Sequence, residues 1–258
     1  MNYDEAFSRN KLYWGEDFQN YLKERYIAVI GLGGVGGFAL EALVRLGISN
    51  FLIADFDRVS VSNINRQIIA LNSAVGMKKT EAFEKRLKDI NPDVNLKIYD
   101  GFLDWEVYFE IFKDKPDFIV DAIDTIKSKV SLLKYAKENK IPVISSFGAG
   151  NRMDGSKLYV CDLAEIQYKD NFIKNLLSKL KKYADTESGI WVVASTEHAK
   201  NTEKVKNIEK IQKNNGEIVE FAKFTPASNS IVPAIAGYLA ANKILEILYK
   251  NHISKSAQ

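Results

Sequence analysis

Gly31-Leu32-Gly33-Gly34-Val35-Gly36 fits G-x-G-x-x-G, a spacing at which backbone free of side chains lets a phosphate approach amide N–H groups and the positive end of a helix dipole. Gly31, Gly33, Gly34 and Gly36 are therefore candidate nucleotide-binding positions. Asp55 lies 24 positions after Gly31 at the end of an apolar run, where a carboxylate accepts hydrogen bonds from ribose hydroxyls. Up to this point NAD and ATP are served equally. What separates them is the stretch from Asp57 to Gln67, which contains Asn63 and Arg66, followed by Val75-Gly76-Met77-Lys78-Lys79. A dinucleotide has two singly charged phosphates, whereas a triphosphate carries about four negative charges, and its cleavage is catalysed chiefly by charge stabilisation from Arg, Lys and metal. Arg66 and Lys79 are candidates to supply that charge. Asp124, in the same cleft, is the candidate ligand for Mg²⁺, which prefers carboxylate oxygens, water and phosphate.

Such residues need a scaffold that brings them to one edge. Tyr26 to Ile30 is a short apolar run ending at the glycines, and Gly36 to Leu46 then has helical apolar spacing, so strand, turn and helix follow in that order. Asn50 to Ala54 reads as a second buried strand, Gly76 to Ile90 as an amphipathic helix stopped by Asn91-Pro92, and Val94 to Tyr99 as a strand. Helices over Leu103 to Phe112 and Ile126 to Glu138 alternate with strands over Phe118 to Ala122 and Pro142 to Ser146. This alternation predicts an α/β fold, a doubly wound and mostly parallel sheet of Rossmann-like nucleotide-binding type. After Gly148-Ala149-Gly150 the rhythm changes: strands are expected over Lys157 to Cys161 and Ile190 to Ala194, with a lysine-rich helix around Lys169 to Tyr183 between them. That part reads as a C-terminal mixed or antiparallel elaboration. The expected organisation is one domain over 1–258, with a nucleotide-binding core of 1–163 and an elaboration of 164–258. His198 to Gly216, with only four apolar residues, reads as a mobile or partner-ordered segment.

The 258 residues are 46% hydrophobic and 27% charged, an ordinary balance for a globular chain with a full core and far from that of a disordered one. The net charge of +3 is uneven, since Gln167 to Lys213 holds ten lysines against six acidic residues. Such a stretch is either an anion or nucleic-acid footprint or a solvated lysine-rich face. The single cysteine, Cys161, excludes an internal disulfide framework and a multi-cysteine zinc site and agrees with a reducing compartment, so a cytoplasmic location is expected. The first twenty residues have no apolar core of a secretion signal, and no run of 18 uncharged apolar residues occurs; Lys243 and Glu246 interrupt Ile231 to Tyr249, which reads as a packed C-terminal helix with no stable membrane insertion.

Gly31 to Gly36, Asp55-Phe56-Asp57, Ser62-Asn63-Ile64-Asn65-Arg66-Gln67, Val75 to Lys79 and Asp121-Ala122-Ile123-Asp124 resemble, in order and spacing, the adenylating domain of the ubiquitin-activating-like superfamily, over about Phe18 to Leu163. Within it, Asp121 to Thr125 with Lys129, Gly148 to Asp154, and Ser195-Thr196-Glu197 resemble the tRNA threonylcarbamoyladenosine dehydratase branch, and the likeness then covers most of the chain. The resemblance implies ATP and Mg²⁺, with a monovalent cation (Na⁺ or K⁺) as an additional expectation. It implies that Asp55 binds ribose, Asn63 and Arg66 the phosphates, Lys79 the β and γ phosphates, and Asp124 the metal, with Asp57, Gln67 and Thr125 in the same site. It further implies tRNA carrying threonylcarbamoyladenosine as substrate and a homodimer, and leaves open a cysteine desulfurase or sulfur-acceptor partner. Sulfur-carrier activators usually have paired cysteines for zinc, which Cys161 alone cannot supply. Where the branch usually has an Asp-Pro-Leu-Ala-like turn followed by arginines, this chain has Lys169-Asp170-Asn171-Phe172-Ile173 and lysines.

Plainer roles stand beside these. Asp57 is either a brace for its loop or a ligand contact; Asp121, nearer the strand body, is expected to be structural; of the adjacent Lys78 and Lys79 only one can face the cleft. Cys161 reads as a small core residue. His198 reads as a surface histidine rather than a base, and Trp14, Trp105 and Trp191 as packing. An activator of a ubiquitin-like sulfur carrier and a non-catalytic nucleotide-binding module are the competing functions.

Overall fold

The computed structural model describes residues 2–182, 189–200, 205–212 and 218–256. Three helices open the chain: α1 (Tyr3–Ala6), α2 (Ser8–Trp14) and α3 (Glu16–Lys23), the last burying Phe18 and Leu22. Then follow β1 (Tyr26–Ile30), α4 (Gly36–Arg45), β2 (Asn50–Ala54), α5 (Lys79–Ile90), β3 (Asn95–Tyr99), α6 (Trp105–Ile111), β4 (Phe118–Asp121), α7 (Ile126–Glu138) and β5 (Val143–Ser146). The second half adds β6 (Leu158–Asp162), α8 (Asn171–Leu180), β7 (Trp191–Ser195), β8 (Val205–Gln212), β9 (Ile218–Thr225) and α9 (Ile231–Ser256). The central strands β1, β2 and β4 are mostly apolar runs because helices cover both faces, so no position on them is fully exposed to water, while the edge strand β3 is more polar and exposed.

Among the described residues one seven-stranded sheet forms, in the order β3-β2-β1-β4-β5-β7-β6. Every neighbouring pair from β3 to β7 is parallel, and β6 is antiparallel to β7. The elaboration is thus mixed, with β7 extending the parallel sheet. Side chains of β1 alternate between two cores. Ile27 and Val29 join Leu40, Leu43, Phe83 and Ile244 on one face, and Ala28 and Ile30 join Tyr108, Leu132, Leu133 and Leu176 on the other. From β1 the chain proceeds outward to β2 and β3 on one side and later to β4 and β5 on the other. The strand order reverses between β1 and β4, and a crevice beyond the carboxyl ends of the strands is where such sheets bind ligands.

Two expectations need correction. The helix read from Gly76 begins at Lys79, because Gly76 takes φ +90° and its N–H is used by Val59 O at 2.8 Å, which folds 76–78 back against the loop after β2. In the segment read as mobile, Val205–Gln212 pairs antiparallel with Ile218–Thr225, from Val205↔Thr225 to Gln212↔Ile218. Its own apolar residues have no alternation to announce a strand; the ladder is supplied by the more apolar partner. The parts of that reading at 201–204 and 213–216, like Tyr183 at the end of the lysine-rich helix, lie outside the described residues. α9 is long and apolar enough over Ile231–Ser254 to cross a membrane, yet Val232, Ala236, Ala240, Ala241, Ile244 and Leu248 are buried in the protein core.

Candidate active site

β1 ends in Ile30, and the next peptide is held from both sides: Gly31 N–H donates to Ala54 O at 2.8 Å and Ala122 N–H to Ile30 O at 2.9 Å. Gly31 has φ +91°, and a Cβ there would lie 2.8 Å from Ala122 O. At Gly36, the first residue of α4, a Cβ would fall 1.9 Å from Gly31 O. Only glycine fits these two positions, and the loop they close directs the first turn of α4 toward the crevice. A Cβ at Gly33, in contrast, would meet nothing closer than Gln67 Nε2 at 3.9 Å, so the loop is open there. Asp55, at the end of β2, is bound to the same loop: its carboxylate accepts Leu32 N–H at 2.6 Å and Asp57 N–H at 2.7 Å. Burial raises the Asp55 carboxyl above its ordinary range, opposed by the charge of Lys79.

Lys79 is buried, and its Nζ stands 2.7 Å from Asp57 Oδ2 and 3.7 Å from Asp55 Oδ1. The folded-back turn places it there, with Lys79 N–H donating to Asp57 O at 3.0 Å and Met77 O accepting from Val59 N–H at 2.8 Å. Lys78 points away, exposed and paired with Asp100. Lys79 is thus the buried lysine of the two and Lys78 the exposed one, and Asp57 braces Lys79. Arg66 is half-buried and donates to Ser62 O at 2.7 Å and Asn65 Oδ1 at 3.0 Å. Burial lowers its guanidinium pKa, and the Asp124 carboxylate across the crevice counters that. Asp124 is exposed just beyond β4 and accepts from Thr125 Oγ1 at 3.2 Å. Asn63 closes a capping box with Ser60, its Oδ1 accepting Ser60 N–H at 3.1 Å. The Gln67 amide lies under the glycine loop with Oε1 buried and without a protein hydrogen-bond partner.

Pairwise contacts link these residues near the carboxyl ends of β1, β2 and β4: Asp55 with the glycine loop and Lys79, Lys79 with Asp57, Gln67 with Gly33, and Arg66 with Gly34 and, through charge, Asp124. Asp121, by contrast, is fully buried at the end of β4, in line with its expected structural role. Sequence reasoning missed how the far wall is made. Arg152, buried in the loop after β5, donates to Asp170 Oδ2 at 2.7 Å, to Gly148 O and to Glu197 O at 3.3 Å. Asp170 also caps α8 by accepting Ile173 N–H at 2.9 Å, and Glu197 accepts Met153 and Asp154 N–H groups. Asn151, at φ 61°, exchanges two hydrogen bonds with Ala227. The signal was an arginine directly after Gly148-Ala149-Gly150-Asn151, legible as a motif but not as an anchor. A cavity of about 550 Å³ opens beside Arg66, with Ser62, Ile64, Asn65, Pro226 and Ser228 in its lining.

The remaining candidates fall outside this crevice. Burial pushes the Cys161 thiol up to about 11, which leaves no thiolate for nucleophilic work at neutral pH. Trp14 and Trp105 pack against Phe18 and Tyr135, and Lys243 lies 3.8 Å from the Trp191 ring centroid. His198 is exposed, with Nδ1 2.6 Å from the Tyr168 hydroxyl.

The ThiF family profile matches residues 7–258. The tRNA threonylcarbamoyladenosine dehydratase of Bacillus subtilis is 35% identical over 245 residues, 95% of each chain. Solved structures of the Escherichia coli tRNA N6-threonylcarbamoyladenosine dehydratase in complex with AMP and with ATP superpose with a TM-score of 0.81 at 28% and 29% identity, covering 99% and 98% of this chain and 97% and 96% of theirs. The molybdopterin-synthase adenylyltransferase of Haemophilus influenzae is 34% identical over 139 residues, only 54% of this chain and 56% of its own. The adenylyltransferase match is confined to about half of the chain, whereas the Bacillus subtilis dehydratase matches over 95% of it and the Escherichia coli dehydratase structure covers 99% of it. The chain belongs to the ThiF family, in its tRNA threonylcarbamoyladenosine dehydratase branch.

Proposed function

We propose that this chain is an ATP-dependent tRNA threonylcarbamoyladenosine dehydratase, a single adenylating unit over 1–258. The observation that carries this reading is the meeting of Arg66, Lys79 and Asp124 around an open glycine loop, in a chain alike over its full length to dehydratases solved with AMP and ATP. A carboxylate oxygen of the threonylcarbamoyl group attacks the α-phosphorus of ATP, the bond to the bridging oxygen breaks, and pyrophosphate leaves. A neighbouring carbamoyl atom then closes on the activated carbonyl, AMP departs and a proton is released, so the nucleoside loses one water overall. Holding nucleophile and acyl group in one molecule gives an effective molarity that lets closure outrun hydrolysis without a covalent enzyme intermediate.

Asp55 binds the ribose, and the amides of the glycine loop, Asn63 and Arg66 the phosphates. Gln67 Oε1 accepts a hydrogen bond from the nucleotide. Lys79 moves from Asp57 toward the β and γ phosphates. Among the described residues no group of three His, Cys, Asp or Glu forms a metal cage. Mg²⁺ is commonly held by one or two carboxylates together with substrate phosphates, so Asp124 suffices for an ion that arrives with ATP, with Thr125 holding its carboxylate. When bound, that ion neutralises charge on the phosphates. The exposed lysines of α8 are the tRNA contact, the protein acts as a cytoplasmic homodimer, and a monovalent cation or a sulfur-transfer partner is an accessory to this chemistry.

ATP–pyrophosphate exchange tests the first half-reaction. Exchange that appears with Mg²⁺ and tRNA carrying threonylcarbamoyladenosine is the expected result. Exchange that appears only with a small carrier protein ending in glycine would transfer the function to carrier activation.

A further inference from the structure

Beneath the turn that carries Asp124 and Thr125 lies an ion pair that the adenylation chemistry does not use. Lys129 Nζ stands 2.7 Å from Asp121 Oδ2 and 2.9 Å from Ser145 Oγ, and Ser145 Oγ donates to the same aspartate oxygen at 2.6 Å. All three residues are 0% exposed, and the ring of Phe147 covers the ammonium at 5.9 Å. Burying two charges costs several kcal/mol per ion, and apolar residues of similar volume are often as stable or more so. Stability is thus a weak reason for this pair, and its geometry is a stronger one.

Each partner comes from a different element: Asp121 ends β4, Ser145 is on β5, and Lys129 is in the first turns of α7. The second oxygen of Asp121 accepts Ile123 N–H at 3.1 Å, which fixes the turn leading to Asp124. Lys129 N–H donates to Thr125 O at 2.9 Å while its ammonium reaches back to both strands, so the start of α7 is set against them. Ala122, inside that turn, forms the floor under Gly31. A shift of Lys129 or Asp121 therefore moves Asp124 and Thr125 together.

We propose that Lys129, acting through Asp121 and Ser145, is a positioning residue for adenylation that sets Asp124 and Thr125 at the height the nucleotide and its metal require. This rests on the adenylation reading of the site. Lys129 itself touches neither nucleotide nor tRNA.

The test compares the parent with Lys129→Met, Ser145→Ala and the triple Asp121→Leu/Lys129→Met/Ser145→Ala, in tRNA-dependent pyrophosphate exchange titrated with ATP and with Mg²⁺, beside thermal melts. In the triple variant the expected result is a near-parental Tm and ATP KM, a kcat lower by about tenfold or more, and a raised Mg²⁺ requirement. Lys129→Met loses kcat in the same way and also melts earlier, because a carboxylate is left buried and alone. A triple variant with parental kcat and Mg²⁺ requirement overturns the proposal. Should the triple variant fail to fold, Ser145→Ala decides, since it keeps both charges: a lower kcat at unchanged ATP KM supports positioning, and parental kcat and Mg²⁺ requirement overturn it. A parent that shows no exchange removes the adenylation reading and this proposal with it; a parent that exchanges beside a triple variant equal to it removes the positioning role alone.

Discussion

Arg66 and Lys79 are held in unlike ways, and their substitutions are expected to differ. Arg66 keeps its charge against partial burial with help from Asp124, so Arg66→Ala removes a charge aimed at the phosphates and is expected to lower kcat by about 10²- to 10³-fold, read in steady-state exchange. Lys79 is neutralised by Asp57 in the structure described here, and Lys79→Met leaves Asp55 and Asp57 close together without their cation. That variant is expected to lose activity and to melt earlier, by about 3–5 kcal/mol of stability in denaturant titration, as for other broken buried pairs. At this scale the sequence names the candidate residues, because Arg66, Lys79 and Asp124 stand in short motifs of fixed spacing. What the sequence could not reveal was pairing across long separations: Asp57 as the brace of Lys79, 22 positions away, and Ser145 beneath Asp121 depend on which strands lie side by side.

The elements carry their own electrostatic joint. Glu41 on α4 is buried, and its carboxylate accepts Arg86 Nε of α5 at 2.6 Å and forms an i,i+4 pair with Arg45 at 2.7 Å. Burial pushes this carboxyl up, but the hydrogen bonds of Arg86 and Arg45 together hold it below the ordinary glutamate value. A carboxyl depressed on folding stabilises the protein above its unfolded pKa and loses that contribution as pH falls through the lower folded one. Glu41→Gln is therefore expected to melt earlier than the parent at neutral pH, by about 1–3 kcal/mol, with the gap closing as the pH falls below about 4. A gap constant from neutral to acidic pH in thermal melts would remove the ion-pair account. The strands β1 and β2 and the helix α7 were readable to the residue, since an apolar run bounded by glycine and a helical apolar period are local signals. The hairpin of β8 and β9 was not, since its ladder is made by pairing rather than by periodicity.

Across the whole molecule, the lysine-rich helix and the proposed nucleotide site are separate features. The proposed nucleotide site lies beyond β1, β2 and β4, while α8 buries Ile173, Leu176 and Leu180 and turns Lys174, Lys179 and the following Lys181 and Lys182 outward. The Arg152–Asp170 pair ties the start of α8 to the loop after β5. Replacing Lys174 and Lys182 by alanine is expected to raise the KM for tRNA, leave kcat near the parent, and lower the salt dependence of tRNA binding by about one unit of slope per lysine. A pair of substitutions that changed kcat alone would place these lysines outside the RNA contact. Sedimentation at micromolar concentration is expected to give a species of twice 29.1 kDa; a single species at 29.1 kDa would contradict the dimer.

The central claim is tested most directly on the nucleoside itself. The protein is incubated with ATP, Mg²⁺ and tRNA carrying threonylcarbamoyladenosine, the RNA is digested, and the modified nucleoside is weighed by mass spectrometry. A product lighter by one water, formed only with ATP and absent with Arg66→Ala, is the predicted result. An unchanged nucleoside alongside ATP turnover driven by a small carrier protein would contradict the dehydratase and leave only the adenylating fold.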